Sequence, residues 1–156
     1  TLEPSSAASD VYKRQDLEGE PYVGKSGKLL DGLLVEAGID LHKDVYFCNV
    51  IKCRPPNNRK PTNKEINIHK PWLLQQIKLV DPKFIILTGS TAMRTILEIK
   101  KPISMIRGKW FNKDGRRIIT IFHPSYLLRF SSKEVGKPYD LTLKDLKNVS
   151  SKLYAL

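Results

Sequence analysis

With 156 residues, 40% of them hydrophobic, the chain is long enough to bury one core and too short for two comfortable ones. Its 27 Lys and Arg against 16 Asp and Glu give a net charge of +11, which points to a polyanionic partner, nucleic acid first. No apolar run approaches the roughly 18 residues that span a bilayer, which argues against a membrane protein. The two cysteines, Cys48 and Cys53, are badly spaced for a mutual disulfide or a metal knuckle and read as reduced thiols of a cytoplasmic protein.

Residues Thr1 to Gln15 lack periodicity and differ in composition from the rest of the chain. They read as a disordered or foreign leader left by truncation of a longer gene, with one domain over 16–156. The sheet's first strand is then expected to be lost with that region, exposing a neighbouring strand edge. After Ser26, Leu29, Leu30, Leu33, Leu34 and Ala37 recur at helical spacing from Lys28 to Ala37, and Gly38 supplies a stop. Val45 to Ile51 is short, apolar and β-rich, a strand that leads into a loop rich in Pro and Asn.

Thr62 to Glu65 forms a capping box for a second helix, whose stripe is Ile66, His69, Leu73, Ile77 and Val80 and whose end is Asp81-Pro82. Phe84 to Leu87 has the continuous apolar character of a strand buried on both faces, and Thr88-Gly89-Ser90 turns it into a helix through Leu97. Asn112 to Gly115 suggests a hairpin turn that delivers Ile118 to Phe122 as another central strand, and Leu141 to Tyr154 reads as a terminal helix. Strands alternating with helices predict an α/β, three-layer sandwich, a mainly parallel central sheet flanked by helices.

In such a sheet the carboxyl ends of the strands converge on one crevice. Asn49, Gly89 and His123 stand at three of those ends. His123-Pro124 places an imidazole where a strand feeds a helix, with Pro124 suited to the first turn. Histidine offers a donor tunable near neutrality, Asn49 a donor and acceptor side by side for an amide-like base edge, and Tyr22 between Pro21 and Gly24 a flat stacking face. Plainer roles are open to each: a turn for Asn49, a cap for His123, core packing for Tyr22. Two basic blocks flank these ends. Lys52, Arg54, Arg59, Lys60 and Lys64 form an acid-free run of five cations, and Lys100 to Lys137 holds ten cations against Asp114 and Glu134.

From about Asp16 onward the chain resembles the family 4, iron-sulfur type, uracil-DNA glycosylases. The resemblance rests on DLEGEPYVG from Asp16, GKLLD from Gly27, DVYFCNVIKCRPP from Asp44, NRKP from Asn58, the Pro82 to Thr91 segment, Arg107 to Trp110, and HPSYLLR from His123. It implies excision of uracil from DNA, with Asn49 and His123 catalytic and Tyr22, Gly24 and Gly89 joining them around the base. Tyr22, where the family usually has Phe, would stack on uracil. Asn49 would read its O4 and N3–H edge, and His123 would bond the carbonyl that gains negative charge. Lys52, Arg54, Arg59, Lys60, Ser125, Tyr126, Leu127 and Arg129 would face DNA, with Ser125 to Leu128 as a wedge.

The family also carries a 4Fe-4S cluster and an acidic, Gly-rich segment upstream of Asp16. Thr1 to Gln15 does not match that segment, and Glu18 and Glu20 fall too late for its acid. Cys53 aligns with the third cluster cysteine and His69 with the fourth; His69 is open to metal ligation or to packing on its helix stripe. The expected protein is a monomeric base-excision enzyme acting on uracil-containing DNA. A non-catalytic DNA-binding module, or a glycosylase for another damaged base, is the alternative.

Overall fold

The computed structural model describes residues 2–6, 25–49 and 62–155, with strand residues 2–6 and 48–49 described by backbone alone. Within them lies one sheet built from β1 (Leu2–Ser6), β2 (Cys48–Asn49), β3 (Phe84–Thr88), β4 (Trp110–Lys113) and β5 (Arg116–Ile121). The spatial order is β2-β1-β3-β5-β4, parallel throughout except for the β4–β5 hairpin. The helices are α1 (Lys25–Glu36), α2 (Asn63–Val80), α3 (Ser90–Leu97), α4 (Ile103–Ile106), α5 (Pro124–Arg129) and α6 (Pro138–Leu153).

Every residue of β3 is buried, because both faces of the sheet are covered. Side chains alternate across a strand, so Phe84 and Ile86 join Ile119 and Ile121 on one face while Ile85 and Leu87 join Ile118 on the other. Leu30, Leu33 and Leu34 of α1, Leu127 of α5, and Leu146 and Val149 of α6 cover the first face. Leu73 and Ile77 of α2 with Ala92 and Ile96 of α3 cover the second. The expected three-layer sandwich is the observed one.

Local chemistry sets several boundaries. Thr62 Oγ1 accepts the Glu65 N–H at 3.2 Å while Glu65 Oε1 accepts the Thr62 N–H at 2.9 Å, a complete capping box that opens α2. Gly38, at φ +89, closes the end of α1, where the Ile39 N–H reaches back to the Leu34 carbonyl at 2.9 Å. Asp114 and Gly115 both take positive φ, which suits the tight link between β4 and β5.

Four expectations shift. Ser26 lies inside α1, fully buried, rather than ahead of it. The strand expected over Val45 to Ile51 narrows to Cys48–Asn49 among the described residues. The terminal helix starts earlier, at Pro138, where a proline has no N–H to leave unbonded. The leader is corrected over Leu2–Ser6: these residues form β1, parallel to β2 on one side and β3 on the other, so that strand is not lost. Leu-Glu-Pro-Ser-Ser has no β-branched residue and one proline without a donor, so local propensity argues against a strand; two flanking ladders override it. Residues 7–15 lie outside the described ones.

Candidate active site

The registers Ser6↔Asn49, Ser5↔Leu87 and Thr88↔Ile121 set Asn49, Ser6, Thr88 and Ile121 in one row at the carboxyl edge of the sheet. At about 4.8 Å per strand, the ends of β2 and β5 stand roughly 14 Å apart. The backbone of Asn49 and the start of α5 therefore share one edge, as the parallel order requires.

His123 follows β5 by two residues and is the N-cap of α5, extended at φ −65 and ψ 139, with Pro124 at the first helical position. Its Nδ1 accepts the Ser125 N–H at 3.0 Å and lies 2.7 Å from Ser125 Oγ. A backbone N–H can only donate, so Nδ1 must present its lone pair, and the neutral ring then carries its hydrogen on Nε2. The half-buried imidazole is thus both a helix cap and a donor of fixed tautomer.

Gly89, the residue after β3, lies beside that ring. It takes φ +93 and its N–H donates to the Ile121 carbonyl at 3.0 Å. A Cβ built there would sit 3.1 Å from both Cβ and Cδ2 of His123, so any side chain would press on the imidazole. The missing Cβ at Gly89 is what leaves the imidazole its space.

On α5, Ser125 is engaged with His123, and Tyr126 and Arg129 are exposed. Leu127 is corrected: it is buried at 1% exposure in the core under α1, and Leu128, 43% exposed, takes the outward position. The segment expected as a wedge is a helix, and one step along a helix turns a side chain by about 100°. Sequence reasoning missed Phe130, which is exposed and whose ring centroid lies 4.7 Å from that of Tyr126. Its signal was legible in the spacing of four between Phe122, Tyr126 and Phe130. Tyr22, Gly24, Lys52, Cys53, Arg54, Arg59 and Lys60 lie outside the described residues, as do Glu18 and Glu20.

His69 sits half-buried on α2 with its ring edge-on to Trp72 at 5.7 Å. The described residues hold no group of three or more His, Cys, Asp or Glu able to bind a metal. Nor do the residues present fit a four-cysteine cluster: the sequence holds two cysteines, and Cys48 is a strand residue of β2. No described helix is long and apolar enough to cross a membrane.

The backbone of Asn49 at the end of β2 and His123, two residues beyond β5, thus stand at the same carboxyl edge of the parallel strands. The model of the uracil DNA glycosylase superfamily matches residues 6–147, and the chain belongs to that family. Several of its relatives there are type-4 enzymes. The Type-4 uracil-DNA glycosylase of Thermotoga maritima is 42% identical over 143 residues, covering 89% of this chain and 71% of that protein. That of Archaeoglobus fulgidus is 38% identical over 122 residues, covering 73% of this chain and 61% of its own length. A DNA polymerase of Bacillus phage SP01 is 35% identical over 130 residues, 83% of this chain but 13% of the polymerase.

Proposed function

We propose that the chain is a uracil-DNA glycosylase that hydrolyses the N-glycosidic bond of deoxyuridine in DNA. The observation that carries this reading is the hydrogen bond from the Ser125 N–H to Nδ1 of His123, which leaves the ring hydrogen on Nε2. As the bond from C1′ to N1 breaks, its electron pair moves onto uracil, water supplies the hydroxyl to C1′, and the proton that water loses ends on the released uracil. Negative charge collects on the departing ring, its carbonyl oxygens included. The Nε2–H of a neutral His123 is a hydrogen-bond donor at that carbonyl without first taking up a proton, which is electrostatic preorganisation at the place where charge develops.

Asn49, across the row, complements O4 and N3–H of uracil; cytosine presents the reversed pattern and would leave a buried polar group unpaired, worth about 1–3 kcal/mol. Tyr22 stacks on the base. The nucleotide must leave the duplex to reach this edge, at a cost of a few kcal/mol that phosphate contacts from Lys52, Arg54, Arg59, Lys60 and Arg129 help to offset. No step passes through an iron-sulfur cluster, because Cys53 and His69 fill only two of its four ligand positions.

The test is release of free uracil from a uracil-containing oligonucleotide. The wild-type chain should release it, and His123→Ala should slow release by about 10²-fold or more. Salt-sensitive binding with no release from the wild type would overturn the proposal in favour of a DNA-binding module, and release of another damaged base instead of uracil would redirect it to a different glycosylase.

A further inference from the structure

Phe122, Tyr126 and Phe130 form a column of rings that starts beside His123 and runs outward along α5. The Phe122 and Tyr126 centroids are 5.0 Å apart with planes 26° from parallel, and those of Tyr126 and Phe130 are 4.7 Å apart at 40°. Exposure rises along the column from 8% at Phe122 to 37% at Tyr126 and 53% at Phe130. Burial of the sheet explains Phe122, which belongs to the core cluster. It does not explain two further aromatic rings stacked on it and turned toward water, in a segment where Arg129 and Lys133 are also exposed.

We propose that Tyr126 and Phe130 are a stacking platform for an unpaired nucleobase of single-stranded DNA outward from the uracil. The inference rests on the reading that the chain binds DNA, and it extends that site outward along α5. A column of rings at stacking distance adds a nucleobase in the way it adds its own next ring, whatever the base, because every base has a π-face. A duplex offers base edges, whereas a single strand offers faces. The flanking cations suit the phosphates that accompany the stacked base and disfavour an acid-free apolar protein segment as the occupant. Phe122 ties the inner end of the column to the edge where His123 stands, and the base stacks at its outer end, two ring spacings farther along.

The test uses an oligothymidylate without uracil and a duplex of the same length, with affinities read by fluorescence anisotropy for wild type, Phe130→Ala and Phe130→Trp. Phe130→Ala should weaken oligothymidylate binding about tenfold and duplex binding far less. Phe130→Trp should restore the single-strand affinity, and the new indole should be quenched as the oligonucleotide is added. Equal single-strand affinity in wild type and Phe130→Ala, an equal loss on both DNAs, or an unquenched indole would each overturn the platform. Because the probe holds no uracil, a chain that releases none can still pass, and one that releases uracil without dependence on Phe130 loses only the platform.

Discussion

On one face of the sheet three helices lay a continuous apolar layer; on the other, α2 contributes two buried side chains, Leu73 and Ile77, from eighteen residues. The first face is also clasped by polar contacts. Arg107 holds Asp145 through two bonds of 3.0 and 2.7 Å, the Tyr139 hydroxyl donates to Glu36 at 3.1 Å, and the Tyr154 hydroxyl donates to Asp44 at 2.6 Å while accepting the Asp40 N–H at 3.1 Å. The second face leaves Ile68, Trp72 and Leu79 in contact with water. Pro71 sits inside α2 without an N–H for the Asn67 carbonyl. His123 belongs to the well-covered side: α5, which it caps, is anchored there by Leu127. The imidazole proposed as the donor is therefore mounted on the side of the sheet that three helices cover.

The comparison is tested most strongly by matched deletions. Leu33 on α1 and Leu73 on α2 are both fully buried. Leu33→Ala is expected to cost about 4–5 kcal/mol and Leu73→Ala about 2–3, because a thinly covered helix can settle into the space it loses. Urea unfolding with unchanged m-values measures both. Equal losses would show that the two layers are packed alike.

A second way to break the comparison is to open the clasp on the thicker face. Gly108 has φ +78, and a Cβ there would lie 2.7 Å from Asp145 Oδ1. Burial pushes the Asp145 carboxyl up, against the opposite pull of the Arg107 guanidinium, so this pair stands where a displaced partner is poorly replaced by water. Gly108→Ala should cost about 1–3 kcal/mol, part from the left-handed backbone and part from the displaced carboxylate. In an Asp145→Ala background only the backbone part should remain. Thermal denaturation of the four proteins gives the coupling, and full additivity would mean that the methyl group and the carboxylate do not meet.

What the sequence made legible divides by the range of the cause. The capping box at Thr62, the stop at Gly38, the hairpin at Asp114-Gly115 and the His123-Pro124 junction each depend on chemistry within a few residues. All four are where the residues place them. β1 depends on two neighbours far along the chain, and nothing in Leu-Glu-Pro-Ser-Ser announces them. The shared edge of Asn49 and His123 follows once the parallel order is inferred, since parallel strands put their carboxyl ends together. The inward turn of Leu127 was not: α5 has six residues, too few for periodicity to say which leucine points in.

The smallest effect concerns surface charge, and it sharpens the contrast by being the same on both faces. On α6, the Gly136 N–H bond and then Lys144 hold the Asp140 carboxyl below its ordinary 3.8. On the other side, a hydrogen bond from Lys70 and its charge hold Glu98 below 4.5. A carboxyl whose pKa is lower folded than unfolded adds stability above its ordinary value and loses it as the pH falls through the lowered one. Asp140→Asn and Glu98→Gln should therefore each lower Tm slightly at pH 7, with the gap to wild type narrowing below about pH 4 and vanishing in stronger acid. Solvent screening keeps both gaps small and of similar size. A gap that persists unchanged into acid at either site would trace it to lost packing or hydrogen bonding rather than charge, whereas closure at both would leave the apolar layers as the source of the unequal cover.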